Sequence, residues 1–167
     1  MKAEEFNALH HKKTPLIICN VWDVASAKTA EKLNFKAIGT SSAAIASMLG
    51  YEDGEEISFE ELHFIVKRIT TSCSLPLTVD IEAGYSTNPL TTAAYIKALV
   101  DAGVVGINIE DSIVNETRSL VDANTFADYL TAIKEQLAKE KIDIYINVRT
   151  DTFVLAVENT LVETQKR

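Results

Sequence analysis

Histidine and cysteine are scarce in this sequence: its 167 residues include three histidines and two cysteines. Cys19 and Cys73 lie far apart, within or beside apolar segments. They offer neither a disulfide scaffold nor zinc-ligand spacing, and they favour a reducing compartment. His10, His11 and His63 fall on helical patterns away from the predicted strand ends. The sequence therefore gives no support to a histidine-based catalytic triad.

Basic residues and long apolar runs are also few. Acidic residues outnumber basic ones by 24 to 16, and the resulting net charge of −8 argues against nucleic acid or an anionic membrane surface as partner. No apolar run reaches the roughly 18–20 residues of a membrane-spanning helix. The amphipathic segment 1–13 has no signal-peptide core behind it. We therefore expect a cytoplasmic protein with one domain, residues 1–167.

Glycine is missing where a nucleotide-binding sheet would need it. The segment CNVWDVAS (19–26), at the end of the first predicted strand, contains none. Phosphate-binding loops depend on glycine at that point, so an open-sheet nucleotide binder is disfavoured.

What the sequence does contain is a regular alternation of short apolar runs and longer helical patterns. The apolar runs predict five strands, at 16–22, 36–42, 75–84, 105–111 and 142–151. Strands alternating with helices predict an α/β fold with a parallel sheet, either open and doubly wound or closed as a (β/α)8 barrel. In both folds, active sites form at the carboxyl ends of the strands.

Charged side chains collect at those strand ends. LTVDIEAGYS (77–86) ends a buried run in Asp80 and Glu82, and residues two apart on a strand share a face. Glu110 and Arg149 end the next two strands. Converging carboxylates repel one another and lose hydration, a conflict that Mg²⁺ resolves. Arg149 would face the same space as a clamp for a carboxylate or phosphate.

Structural roles remain open for other polar residues near these ends. Ser41 and Ser42 could equally cap the helix that follows them. For Asp111 and Asp151 we favour a helix-cap or solvated-loop role. The cluster EDGEE (52–56) has the composition of a solvated loop.

Five segments together resemble a known family. They are GTSS (39–42), LGYEDGE (49–55), TVDIEAGYS (78–86), GINIEDS (106–112) and NVRTD (147–151). In this order and spacing they resemble the isocitrate lyase / phosphoenolpyruvate mutase superfamily, in particular its short branch similar to phosphoenolpyruvate mutase and carboxyphosphonoenolpyruvate phosphonomutase. The resemblance runs from about residue 14 to the last residue, with Ser86 in place of the usual glycine.

The resemblance implies a (β/α)8 TIM barrel in a homo-oligomer, a dimer or tetramer. Such a barrel needs roughly 200–250 residues. We therefore expect residues 1–167 to encode about the first five strand–helix units of a single, C-terminally incomplete barrel domain. Because an open part-barrel leaves a strand edge unpaired, the chain is expected to belong to a longer protein or to pair with another copy.

The resemblance also implies a metal site. Asp80 matches an acid that binds Mg²⁺ and contacts the substrate, while Glu82 and Glu110 match acids that hold the water ligands of the metal. Asp53 matches a catalytic acid that reaches the same metal shell from a loop.

The substrate implied is a small anionic α-oxo or phosphono carboxylic acid. Ser41 and Ser42 match the segment that receives its carboxylate, and Arg149 matches a catalytic arginine that clamps its anionic end. The implied chemistry makes or breaks a C–C or P–C bond through an enolate-like intermediate.

One segment departs from the named enzymes of the family. Isocitrate and methylisocitrate lyases carry K-K-C-G-H soon after the ED pair, whereas residues 112–122 read SIVNETRSLVD. Phosphoenolpyruvate mutases carry P-K-x-N-S-L, of which only Ser119 and Leu120 match, with Arg118 at the asparagine position. A true isocitrate lyase is therefore disfavoured. A mutase, decarboxylase or hydrolase stays open, as does a non-catalytic relative that kept only the fold.

Overall fold

Apolar side chains and helix caps define the elements of the computed structural model, which describes residues 2–114 and 117–167. The strands in these ranges are β1 (Cys19–Val21), β2 (Ile38–Thr40), β3 (Leu77–Asp80), β4 (Gly106–Glu110), β5 (Ser112–Val114), β6 (Arg118–Leu120) and β7 (Tyr145–Arg149). The helices are α1 (Lys2–His10), α2 (Val24–Lys32), α3 (Ser42–Leu49), α4 (Phe59–Ser72), α5 (Pro89–Asp101), α6 (Ala123–Lys139) and α7 (Thr160–Lys166).

Five strands form one parallel sheet in the order β1, β2, β3, β4, β7. This confirms the five predicted strands and the parallel α/β fold, although each strand is shorter than its apolar run. Each strand pairs with the one before it in the sheet, without the reversal of order that a doubly wound sheet requires. The antiparallel hairpin of β5 and β6 was not predicted.

Helices α2 to α6 begin where a capping side chain accepts a hydrogen bond from an amide group of the first turn. Asp23 and Ser58 each form a capping box at the start of α2 and α4. Asn88 caps α5, with Pro89 at its first position. Among the described residues, no helix combines the length and the apolar character needed to cross a membrane.

Helix α1 packs at the amino ends of the strands. Its Phe6 is 1% exposed and lies edge-to-face with Tyr145 at a centroid distance of 5.5 Å. A Cβ atom at Gly106 would lie 2.9 Å from Phe6 Cε1, so glycine at the start of β4 makes room for this ring. With the amino ends covered, the carboxyl ends of the strands are the end left for a polar site.

The backbone turns sharply after β3. The predicted strand reaches Gly84, but β3 ends at Asp80, and Glu82, Gly84 and Tyr85 all have positive φ angles (49°, 108° and 58°). The two acids of the doublet therefore do not share a strand face, which corrects the prediction from residue spacing. Glycine at position 84 is also required sterically, since a Cβ there would lie 2.7 Å from Tyr129 Oη.

Candidate functional site

The parallel register brings most of the predicted site residues together at the carboxyl ends of the strands. Glu110 on β4 is the register partner of Arg149 on β7. Asp80 on β3 is the register partner of Asn108 on β4. Ser41 differs from the others because its hydroxyl caps α3, accepting a hydrogen bond from the Ala44 amide at 3.3 Å.

Asp80 lies at the centre of the group and is 8% exposed. Its carboxylate accepts hydrogen bonds from Ser42 Oγ at 3.2 Å and from the Glu82 amide at 3.1 Å. Arg149 Nη1 lies 3.7 Å from Asp80 Oδ2, and the Asp80 amide donates to Thr40 Oγ1 at 2.8 Å. Burial raises the pKa of Asp80, although the Glu82 amide and Arg149 oppose the shift. Thr40 was not among the predicted site residues.

Glu82 is 4% exposed and sits among other acids. Its Oε2 accepts a hydrogen bond from the Glu55 amide at 2.9 Å, and Tyr85 Oη donates to its Oε1 at 3.5 Å. Burial, followed by the charges of Asp53, Glu55 and Asp80, raises the pKa of Glu82 to about 7. Keeping Glu82 ionised in the folded, metal-free chain therefore costs free energy.

This cost predicts a pH dependence of stability for the metal-free chain. The ordinary pKa of Glu82 is 4.5 and the folded one is about 7, so the folded state holds this proton more tightly than the unfolded state. The contribution to stability is complete below about pH 4.5 and is lost as the pH rises through about 7. In EDTA, Glu82→Gln should reduce the fall in Tm between pH 5 and 8. The exposed Glu60→Gln should keep the wild-type profile, and an unchanged slope in Glu82→Gln would contradict the assignment.

Glu55 is a second acid held at the turn after β3. Its Oε1 accepts a hydrogen bond from the Tyr85 amide at 2.7 Å, and the amides of Ala83 and Gly84 also stabilise its charge. Burial nevertheless raises its pKa. Glu55 is therefore half-buried beside the site, which corrects the interpretation of residues 52–56 as only a solvated loop.

Two arginines and two buried acids form a compact group of four charges. Glu110 is 3% exposed and Asp151 is fully buried. Arg149 Nη2 donates to Glu110 Oε2, and Arg149 Nε donates to Asp151 Oδ1 at 2.8 Å. Arg118 Nη1 donates to Glu110 Oε1 at 2.6 Å and to Asp151 Oδ2 at 3.2 Å. Each of these two acids is thus paired with both guanidinium groups.

Arg118 is the functional candidate that sequence reasoning missed. It lies on β6, and its Nη2 also donates to Asp53 Oδ2 at 3.1 Å, so it joins the predicted loop acid to the group of four. The sequence signal that pointed to Arg118 was its position within residues 112–122, where phosphoenolpyruvate mutases carry asparagine. Residues 115 and 116 of that segment lie outside the described residues.

Asp111 and Asp151 are not solvated, which corrects their assignment to caps or open loops. Asp111 is 1% exposed and accepts hydrogen bonds from Thr150 Oγ1 at 2.8 Å, the Asp151 amide at 2.9 Å and Arg167 Nη1 at 3.0 Å. Asp151 also accepts from Ser112 Oγ at 2.6 Å. Both acids hold the segment after β7 against the end of β4.

Negative charge predominates in the assembled site. Its carboxylates are those of Asp53, Glu55, Asp80, Glu82, Glu110 and Asp151. The guanidinium groups that face them are those of Arg118 and Arg149. Within residues 2–114 and 117–167, no group of three or more His, Cys, Asp or Glu side chains is arranged to hold a metal ion by itself. The donor set nevertheless suits Mg²⁺, which takes oxygen ligands from one or two carboxylates and keeps several waters.

Comparison with known proteins gives a consistent family match. The family described as phosphoenolpyruvate phosphomutase matches residues 6–167. An uncharacterized protein of Mycobacterium tuberculosis is 34% identical over 150 residues, which are 90% of this chain and 54% of that protein. The 2-methylisocitrate lyase of Escherichia coli K12 is 30% identical over 160 residues, covering 92% of this chain and 53% of the lyase.

A solved structure gives the corresponding match in three dimensions. A Burkholderia cenocepacia J2315 protein with a phosphonomutase assignment superposes with a TM-score of 0.88 at 32% identity. The superposition covers 98% of this chain and 67% of that one. This chain spans about half the length of the curated relatives it matches.

Proposed function

The chain belongs to the phosphoenolpyruvate phosphomutase family, within the isocitrate lyase / phosphoenolpyruvate mutase superfamily, and on that premise we propose that it is an Mg²⁺-dependent enzyme. Its substrate would be a small α-oxo or phosphono carboxylic acid. The reaction would make or break a C–C or P–C bond of that acid through an enolate-like species. Whether it is a mutase, lyase, decarboxylase or hydrolase reaction is left open by the segment 112–122.

The observation that carries this proposal is the excess of buried carboxylates at the strand ends. Asp80 and Glu82 are both nearly inaccessible, and burial among other acids raises the pKa of each. Two arginines do not balance six carboxylates, so a bound divalent cation would relieve the repulsion that remains. Asp80 would hold Mg²⁺ directly, and Asp53, Glu82 and Glu110 would hold its water ligands.

The bound Mg²⁺ would supply Lewis-acid polarisation of the substrate's oxo and carboxylate oxygens. The residues of the chain would bind and orient the anion. Ser42 lies beside Asp80 at the start of α3, where helix amides favour negative charge. Arg149 is 40% exposed with Nη1 directed toward Asp80, so its guanidinium can meet a carboxylate or phosphonate next to the metal. Ser41 would contribute mainly by fixing the first turn of α3.

We also propose that the five parallel strands are the first part of a (β/α)8 barrel. Within the described residues, β7 pairs with β4 on one edge and with no strand on the other. Apolar side chains near that edge are exposed, among them Val148 at 52% and Phe153 at 62%. Further strands of the same protein, or another copy of the chain, would cover them. Homo-oligomeric assembly and a cytoplasmic location stay predictions.

Thermal unfolding of the wild-type chain tests the proposal directly. Oxalate has the planar shape of a pyruvate enolate, so Mg²⁺ and oxalate together should raise Tm while EDTA with oxalate should not. A ligand at 100 times its Kd adds about 2.7 kcal/mol to the free energy of unfolding. Acetate with Mg²⁺ is the control, since it lacks the second carboxylate. A cooperative transition that no combination shifts would favour a non-catalytic relative.

A further inference from the structure

Arg118 links three separate parts of the site through a single guanidinium group. The side chain is 19% exposed and contacts Glu110 at the end of β4, Asp151 after β7 and Asp53 in the loop before α4. These contacts measure 2.6, 3.2 and 3.1 Å. Arg149 also pairs with Glu110 and Asp151, so the contact with Asp53 is what distinguishes Arg118 from the other arginine of the site.

The element that carries Arg118 is separate from the parallel sheet. Strands β5 and β6 pair only with each other among the described residues, and each is three residues long. A two-stranded hairpin of this size contributes little stability of its own. The hairpin is held at its base by the Val121 amide, which donates to the Asp111 carbonyl at 2.9 Å, and by Ser112. Arg118 can therefore move away from these acids without breaking any strand pairing of the five-stranded sheet.

The partners of Arg118 include acids that the proposed metal would use. Glu110 and Asp53 are two of the three residues assigned to its water ligands. An oxygen that accepts a charged hydrogen bond from a guanidinium is less able to accept one from a metal-bound water. The two cations also repel each other at short range in a buried site. Among the described residues, every buried side-chain nitrogen and oxygen atom already has a hydrogen-bond partner, so the metal would have to replace existing contacts.

We propose that Arg118 is a positioning residue that sets the affinity of the site for Mg²⁺. In the metal-free chain its guanidinium neutralises Glu110 and Asp53 and ties strand β6 to the site. Loading Mg²⁺ releases these ion pairs and loosens the hairpin. The inference rests on the proposed function, because it concerns the metal of that same site.

Arg149 differs from Arg118 in ways that fit separate roles. Arg149 lies within β7, in register with Glu110, so its backbone is fixed by the sheet. Its Nη1 is 3.7 Å from Asp80 Oδ2, beyond hydrogen-bonding distance, so this nitrogen is not committed to that carboxylate. Arg149 therefore suits a substrate clamp, whereas Arg118 suits an exchangeable internal cation.

Because of thermodynamic linkage, the role of Arg118 can be measured either as Mg²⁺ affinity or as the strength of the Arg118 contacts. If Arg118 contacts weaken Mg²⁺ binding by some factor, Mg²⁺ must weaken those contacts by the same factor. Coupling between sites in proteins commonly corresponds to about 5–150-fold. Metal affinity and hairpin opening should therefore change together.

Calorimetric titration of Mg²⁺ into the metal-free full chain is the test. We expect Arg118→Gln to bind Mg²⁺ about tenfold more tightly than wild type, within the usual coupling range. Arg118→Lys should be intermediate, because it keeps the charge and loses the planar fork. Arg167→Gln is the matched control: it removes a guanidinium that pairs with buried Asp111 at 3.0 Å, outside the acid group, and should bind like wild type. In wild type, amide hydrogen exchange at 112–114 and 117–120 should rise with Mg²⁺.

The outcomes separate this inference from the proposed function. Equal Mg²⁺ affinity in wild type, Arg118→Gln and Arg118→Lys, or weaker binding in the variants, would overturn the role of Arg118 and leave the proposed metal site standing. Absence of Mg²⁺ binding in all of the chains would overturn the metal site and the inference with it. If Arg118→Gln does not fold, the Lys variant and the exchange rates of wild type still decide the matter.

Discussion

Replacing Asp80 with alanine should abolish the stabilisation that Mg²⁺ and oxalate together give the wild-type chain. Asp80 is the residue assigned to direct metal binding, and its Oδ2 also lies 3.2 Å from Ser42 Oγ and 3.7 Å from Arg149 Nη1. Without this carboxylate, Mg²⁺ would lack its direct protein ligand, and the substrate anion would lack the Mg²⁺ that binds it. The gain of about 2.7 kcal/mol at 100 times Kd should fall to near zero in thermal or urea unfolding.

The same substitution should do little harm to the metal-free fold. Burial raises the pKa of Asp80, so its charge is not a stabilising feature of the folded chain without a cation. Asp128→Ala on the exposed face of α6 is the control and should keep the full ligand-dependent shift. An undiminished shift in Asp80→Ala would mean that Mg²⁺ and oxalate bind elsewhere.

Replacing Asp151 with alanine should give the largest loss of stability of any single acid in the site. Asp151 is fully buried and accepts hydrogen bonds from Ser112, Arg118 and Arg149 at 2.6–3.2 Å. Removing it leaves two guanidinium groups facing only Glu110 among the acids of the group of four. Breaking a buried ion pair in this way costs about 3–5 kcal/mol, which urea unfolding at neutral pH would measure.

A surface acid provides the comparison for Asp151. Glu163 on α7 pairs with Lys166 and Arg167 near the surface, where solvent screens the charges, so Glu163→Ala should cost much less stability than Asp151→Ala. Burial opposes ionisation of Asp151, but hydrogen bonds from Ser112 and the charge of Arg149 outweigh it and lower its pKa. The stability it adds is therefore present above about pH 4 and is lost as the pH falls. A deficit in Asp151→Ala no larger than that of Glu163→Ala would show that the group of four is not energetically important.

Local sequence rules were sufficient to predict the strands of the parallel sheet. Apolar runs located all five parallel strands, because buried parallel strands are apolar on both faces. The same rules placed Asp80, Glu110 and Arg149 at strand ends, where the register then brings them together. Residues 77–80 illustrate the agreement, since all four are buried in β3.

The remaining features depend on contacts between residues that are far apart in the sequence. Asp151 meets Ser112, 39 positions away, and Arg118, 33 positions away, so no local pattern could reveal its burial. Glu82 faces the site through a positive φ angle after β3 rather than through strand alternation. The hairpin of β5 and β6 consists of two three-residue strands, too short for a periodic signal.

The strand order also has a consequence for how the chain can fold during synthesis. Each strand of the sheet after β1 pairs with one that leaves the ribosome earlier, so the sheet can grow strand by strand during synthesis. Helix α1 acquires its contacts in stages. Phe6 and Leu9 cluster with Ala37 and Val105, which precede β2 and β4. Phe6 and His10 also contact Tyr145 in β7. Part of the apolar face of α1 can therefore be covered early in synthesis, whereas its aromatic contacts form only after β7 has been translated.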